Sequence, residues 1–324
     1  MIVHKRIGAV LALSFAAAYP VTAAAQENYP SKPIRFIIGF PPGGSNNIVA
    51  RAIAPKLSEY LGQQVVVDNR GGANTSIATA LAAQAEPDGY TILMNAPGHT
   101  TNPWLIKNLS FDSIKDFEFI TQIGRASNLL ATHPSFQPRS VRELIAYSKK
   151  NPGKVNYGSS GIGTSVHLSA ELFQYMTGIK WVHIAYKGGG PGLVALLAGE
   201  VSLYFGNVPT VIRHVRAGKL NGLATTGLKR SPGAPDLPTV AETVPGFEVQ
   251  PFWGLSAPAG TPPAILQRLH KETIRALNDP DVRKLLEGLG AEVLGTSPEE
   301  YSQFIRSETA KWGKVIKAAG IKPL

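Results

Sequence analysis

The chain has 324 residues, 32 lysines and arginines against 22 aspartates and glutamates, and no cysteine. Its length suits two domains, and the missing cysteine excludes disulfides, thiolate-bound zinc, iron–sulfur clusters, thiol nucleophiles and a lipidated N-terminal cysteine. The 33 glycines and 25 prolines stay below the share at which a low-complexity chain becomes the better reading.

His4, Lys5 and Arg6 precede a charge-free apolar run over residues 7–18, broken by Pro20 and followed by Ala23, Ala24 and Ala25. This is the pattern of a signal peptide over residues 1–25, cleaved after Ala25. The run is shorter than the ~20 residues a membrane span needs, so an exported, soluble periplasmic product is expected. The net charge of +10 is scattered, with no basic-and-aromatic ribbon, which argues against a nucleic-acid partner.

The rest reads as strands alternating with helices. Residues 34–40 (IRFIIGF) form an apolar strand, and a helical pattern carries Ile48, Ala52, Ile53, Leu57, Tyr60 and Leu61 on one face. Further strands are expected at 65–67 and 91–94, with a small-residue helix at 76–85 between them. The stretch 95–115 reads as irregular, and 119–132 as one strand-like segment. The alternation then restarts. Ser140 and Glu143 form a capping box opening a helix to Lys150, followed by a strand at 154–158, a helix at 165–177, a strand at 181–186 and a short helix at 193–198. Strands at 201–205 and 220–226 complete this second set. After a proline-rich stretch, two long helices open at Thr261-Pro262 and Ser297-Pro298. The pattern predicts an α/β fold of two lobes, with mostly parallel sheets and flanking helices. Lobe 1 is expected over 26–122 plus 228–324, and lobe 2 over 123–227.

In each set a strand runs through a glycine-containing loop into a helix, at residues 40–47 and 158–164. A helix N-terminus leaves about four amides unpaired and carries partial positive charge, so it favours anions. Ser45, Asn46, Asn47, Ser159, Ser160 and Thr164 add donors and caps, and ligands of open α/β sheets lie beyond the carboxyl ends of the strands. Two such loops facing across a cleft would grip an anion, although either alone is also an ordinary capped turn. GxxxxGK[ST], GxGxxG, HExxH and GxSxG are absent from the chain. Ser160 with His167 is the only candidate nucleophile–base pair, and a serine at a helix start is more often a cap. The histidines form no close metal-ligand pair, His183 reads as structural, and Phe252 and Trp253 read as core.

Several motifs recur together. They include Phe40-Pro-Pro-Gly-Gly44 with Arg51, Asn69-Arg70, Pro87-Asp-Gly-Tyr-Thr91, and Tyr157-Gly-Ser-Ser-Gly-Ile-Gly-Thr164 with His167 and Glu171. Tyr186-Lys-Gly188, Pro235-Asp-Leu-Pro-Thr239 with Glu242, Trp253-Gly254 and Trp312 follow in order. In this arrangement the chain resembles the Bug-type extracytoplasmic solute receptors of the tripartite tricarboxylate transporter family. The resemblance implies a two-lobed periplasmic binding protein of the Venus flytrap, type II-like class that captures a small carboxylate. It implies no cofactor and no metal, and a monomer that delivers its ligand to a two-component integral membrane transporter. An exported enzyme using Ser160 and His167, or a ligand sensor docking on a signalling partner, are the alternatives. The ligand-binding residues implied are Phe40, Pro42, Gly43, Gly44, Ser45, Asn46 and Asn47, then Asn95, then Tyr157, Ser159, Ser160, Gly161, Gly163, Thr164 and His167, with Tyr186 and Asn207. Two departures stand out. Asn47 occupies a position where the family usually has Asp, and the family's glycine-rich stretch appears here as Gly71-Gly-Ala-Asn-Thr-Ser76, bulkier and more polar.

Overall fold

The computed structural model describes residues 29–288, 290–318 and 320–321, so the expected signal peptide lies outside the described residues. The first half-lobe runs β1 (Ile34–Ile38), α1 (Ser45–Leu61), β2 (Val65–Asn69), α2 (Ser76–Ala83), β3 (Thr91–Asn95), α3 (Gly98–Leu105) and β4 (Phe117–Ala126). The second lobe runs β5 (Asn128–Thr132), α4 (Val141–Lys150), β6 (Asn156–Ser159), α5 (Ser165–Thr177), β7 (Val182–Ala185), α6 (Gly189–Leu197), β8 (Leu203–Asn207), α7 (Val208–Arg216) and β9 (Asn221–Thr225). The chain returns through β10 (Phe252–Pro258), α8 (Pro263–Asn278), α9 (Pro280–Gly288), β11 (Ala291–Val293) and α10 (Pro298–Ala318).

These strands build a six-stranded sheet in the order β11-β4-β10-β3-β1-β2 and a five-stranded sheet in the order β7-β6-β8-β5-β9. The apolar run of β1 is unbroken because both faces are covered. Ile34, Phe36 and Ile38 pack towards α1 and α8, while Ile37 packs with Ala78, Leu93 and Tyr301 on the other side. The five-stranded sheet has its own core around Tyr157, Leu168, Phe173, Leu203 and Phe205.

The sheets are mixed rather than mostly parallel. β2, β1 and β3 run parallel, as do β7, β6 and β8, but β10, β4, β11, β5 and β9 are joined by antiparallel pairs. Of these, β4, β5, β9 and β10 flank the points where the chain changes sheet. The stretch expected as one strand at 119–132 is two, β4 in one sheet and β5 in the other, with the crossing at Ser127. The expected boundary at 122/123 falls inside β4. Residues 228–249, expected in lobe 1, contribute Val240, Val244, Phe247 and Val249 to the core of the five-stranded sheet. The return crossing therefore comes shortly before β10.

Candidate ligand-binding site

Five helices open directly from strand ends into the cleft between the sheets. Residues at the starts of α1, α3, α5, α6 and α7 line one small chamber of ≈ 50 Å³: Gly44 to Asn46, Pro97 and Gly98, Thr164 to Val166, Gly189, and Asn207 with Thr210. Phe40, Asn74, Ser160, Tyr204, Pro251 and Trp253 complete the wall. The helices at α1, α3, α6 and α7 carry no side-chain cap hydrogen bond. In α1 the first helical bond runs from Ile48 N–H to Gly44 C=O (3.1 Å), so the amides of the preceding turn stand at the free end. α5 is capped by Thr164, whose Oγ1 accepts from His167 N–H (3.4 Å). Charged side chains are missing from the chamber wall among the described residues.

A wider mouth of ≈ 720 Å³ leads outward, lined by Phe40, Pro41 and Pro42 and by Gly71 to Thr75 on one side. Ser160, Gly161, Ile162, Thr164, Ala185, Tyr186, Lys187 and Gly188 line the other side. The lobes touch across the cleft. Ser45 Oγ donates to Asn207 Oδ1 (2.9 Å), and Thr101 Oγ1 donates to the Gly163 carbonyl (3.1 Å). Asn207 is itself oriented by Asn128, which also donates to the Ser165 carbonyl (3.2 Å).

Of the residues expected from the sequence, Phe40, Pro42, Gly44, Ser45, Asn46, Ser160, Gly161, Thr164, Tyr186 and Asn207 line the chamber or the mouth. The others line neither space. Asn47 Nδ2 donates to Asn69 Oδ1 (3.2 Å), and Asn69 Nδ2 donates to the Phe40 carbonyl (2.8 Å), so Asn47 steadies the loop from below. Asn95 is buried beneath α3, paired with His99 Nδ1 (3.1 Å) and accepting from the Tyr301 hydroxyl (3.1 Å). Gly43 is exposed at the outer turn with φ +90, a conformation that favours glycine. Gly163 has φ +78 and faces Leu105 and Asn74 across the cleft, where a Cβ would collide with both.

Tyr157, Ser159 and His167 form a buried layer under the second loop. The Tyr157 hydroxyl donates to Glu171 (2.5 Å), Ser159 Oγ pairs with His183 Nε2 (2.6 Å), and His167 Nδ1 accepts from Gly163 N–H (3.2 Å). The two imidazoles stack at 4.3 Å between centroids. Burial, and then the neighbouring His183, push His167 down to about 3; burial pushes His183 down to about 4. Burial raises the Tyr157 phenol, helped by the charge of Glu171. Neutral rings packed this way brace a loop and offer no proton near neutral pH. Ser160 Oγ donates to Thr164 Oγ1 (3.0 Å), so Ser160 and His167 do not form a nucleophile–base pair. Groups of three or more histidines, acids or cysteines able to hold a metal are absent among the described residues.

The sequence does not mark Gly98, Gly189, Tyr204 or Thr210 as lining residues, it marks Asn74 only within the bulkier, more polar 71–76 stretch, and it places Trp253 in the core. Trp253 is buried at 1% exposure, yet it lines the chamber. Asn74 belongs to a turn in which Ala73, Asn74 and Thr75 all have positive φ (44, 50 and 74). For residues with a Cβ this costs about 1–2 kcal/mol each. Bonds to α3 offset it: Asn74 Nδ2 donates to Thr101 Oγ1 (3.1 Å) and Asn102 Oδ1 (2.9 Å), and Asn102 Nδ2 donates back to the Asn74 carbonyl (2.8 Å).

Comparison with known proteins bears on this geometry. The family model described as "Tripartite tricarboxylate transporter family receptor" matches residues 49–321. The chain belongs to that family. Protein BugT of Bordetella pertussis is 35% identical over 320 residues, covering 98% of each chain. A solved structure titled R. palustris Rpa4515 with adipate is 37% identical, with a TM-score of 0.88 over 92% of this chain and 100% of that one. MatC from Rhodopseudomonas palustris with bound malate is 29% identical, with a TM-score of 0.84 over 89% of this chain and 100% of that one. As a member of this Bug-type receptor family the chain is a two-lobed α/β solute-binding protein. Among the described residues no helix is long and apolar enough to cross a membrane.

Proposed function

We propose that this chain is a periplasmic receptor that closes its two lobes on a small carboxylate and delivers it, as a monomer, to a two-component membrane transporter. The observation that carries the reading is the convergence of five helix N-termini, four without a side-chain cap, on one chamber with an uncharged wall. Unpaired amides at helix starts are strong anion donors, and they carry no mobile counter-charge of their own. Both lobes contribute them, so an anion bridging the chamber gains contacts from the second lobe only when the cleft is closed, and that difference drives closure.

Relatives solved with adipate and malate support a carboxylate as the ligand class. Separation of Ser160 from His167 supports capture over turnover. Calorimetry with adipate, malate and succinate, followed by mass spectrometry of the ligand released on denaturation, tests the reading. Saturable binding with the ligand recovered unchanged is the expected result. A folded protein that binds none of the three and no monocarboxylate such as lactate, or returns a chemically altered product, overturns it.

A further inference from the structure

Asn74 stands where the cleft narrows, lining both the chamber and the mouth. Its amide orientation is set by its neighbours. Asn102 Nδ2 donates to the Asn74 backbone carbonyl, which leaves Asn102 Oδ1 as an acceptor, and Thr101 Oγ1 spends its proton on the Gly163 carbonyl. Both of these oxygens must therefore receive protons from Asn74, and Nδ2 is the atom that supplies them. The other end of the amide, Oδ1, is buried and has no hydrogen-bond partner among the described residues. Thr75 Oγ1, one residue on and lining the mouth, is likewise buried and unpartnered.

The turn that places these oxygens is held on all sides. Thr75 packs against Gly39, and Gly98 lies so close to the Asn74 carbonyl and Thr75 Oγ1 that neither glycine tolerates a Cβ. A backbone held in left-handed conformation at three successive non-glycine residues is the kind of strain that persists where a site is over-determined.

An unpaired buried carbonyl beside an anion site discriminates sharply. It repels a carboxylate oxygen and rejects a methylene by remaining unsatisfied, but it rewards a donor. Resting on the reading of the cleft as a carboxylate receptor, we infer that Asn74 is a specificity-determining residue that selects a hydroxyl-bearing carboxylate, its Oδ1 accepting from the ligand hydroxyl. A hydroxyl fits better than an ammonium because the chamber wall carries no acidic side chain to balance a buried positive charge.

The test uses two trios that differ at one carbon, malate, succinate and aspartate, and lactate, propionate and alanine, with adipate as a further probe. Calorimetry is run on the wild type and on Asn74→Gly, which accepts the positive φ. In at least one trio the hydroxyl member should bind the wild type about tenfold tighter than the unsubstituted one, as expected for one added hydrogen bond, and Asn74→Gly should reduce that ratio below about threefold. Equal binding within the trios, or a ratio that survives Asn74→Gly, overturns the assignment of Asn74. Tightest binding of aspartate or alanine overturns the hydroxyl in favour of an ammonium. Adipate binding with no member of either trio bound also overturns it, while leaving the receptor reading intact. Failure of all seven ligands overturns both. If Asn74→Gly does not fold, equal wild-type binding within both trios still overturns the assignment.

Discussion

Gly44 occupies the N-cap of α1 with an extended backbone (φ −83) open to any residue, and a Cβ there would meet only the Pro41 carbonyl at 3.9 Å. An aspartate in its place would accept from the same first-turn amides that a ligand needs. Gly44→Asp should therefore gain a few tenths of a kcal/mol in stability as a better cap while weakening carboxylate binding at least tenfold, roughly the loss of one charge-assisted contact. Thermal unfolding and calorimetry on the same sample check both, and an unchanged affinity would remove α1 from the site. Gly161 is a poorer place for such a test, since its φ of +126 strains any side chain. A second expectation concerns His99, buried in the first turn of α3 with Nε2 on the Ser113 carbonyl (2.7 Å). Burial holds it down to about 4, so the folded protein keeps it neutral where the unfolded chain takes up a proton. Its stabilisation is complete above about pH 6.5 and is lost as the pH falls towards 4, on the order of 3 kcal/mol in all. Urea midpoints from pH 7 to pH 4.5 should fall, and His99→Gln should flatten that slope; an identical slope would refute the account. Residues whose role is local were legible in the sequence, as with the caps at Ser140 and Thr164. Asn74 was not, because its orientation depends on Thr101 and Asn102, distant in sequence.

The strand-to-helix junctions were the elements the sequence expressed most clearly. β1 into α1 and β6 into α5 stand where the apolar runs and glycine loops put them, with α5 matching its expected span. Elements formed chiefly by tertiary packing were missed. α3 contains Pro103 and the polar run His99 to Asn102, and it is held by burial against β4 and α10, including a bond from Trp104 Nε1 to the Thr309 carbonyl (2.7 Å). α7 is not expected from the sequence although Pro209 opens it and Gly206-Asn207 and Gly218 flank it. β10 was hidden in an uncharged, proline-flanked run whose seven residues are all buried. The expected pair of C-terminal helices is three, because Asp279 leaves helical geometry and Pro280 restarts it. Among the chamber helices α5 alone spends a side chain on its cap, and that side chain also ties the loop: Thr164 Oγ1 donates to the Gly161 carbonyl (2.8 Å). Thr164→Ala should cost about 1 kcal/mol, read as a lower urea midpoint. No change in midpoint would mean that the loop is held by Tyr157, Ser159 and the histidine stack instead.

Two lobes are expected from the sequence, and the chain crosses between sheets at Ser127 and again between β9 and β10. A strand that changes sheet without a turn, as at Ser127, leaves no break in hydrophobic pattern. The junction is stitched by bonds from Asn128 N–H to Thr226 Oγ1 (2.8 Å) and from Val249 N–H to the Thr226 carbonyl (3.0 Å), contacts that favour bending over sliding at this hinge. Leu105, Trp312 and Ile316 from the first lobe join the core cluster of the second, and Leu105 lies against Gly163 across the cleft. Gly163→Ala places a methyl group between Leu105 and Asn74 and should prop the lobes apart. Small-angle scattering with saturating ligand should then give a larger radius of gyration than wild type, with weaker binding. A radius that shrinks as in wild type would show that the lobes meet elsewhere. The uncharged chamber wall has one more consequence. Fixed backbone dipoles enclosed by protein are not neutralised by dissolved ions, whereas arginine or lysine clamps at a surface are. Between about 10 mM and about 1 M salt the screening length contracts from ~30 to ~3 Å, yet the dissociation constant for a dicarboxylate should move by less than about threefold, the behaviour of a shielded site. Titrations across that range would reveal a receptor whose grip is indifferent to the salinity of its surroundings.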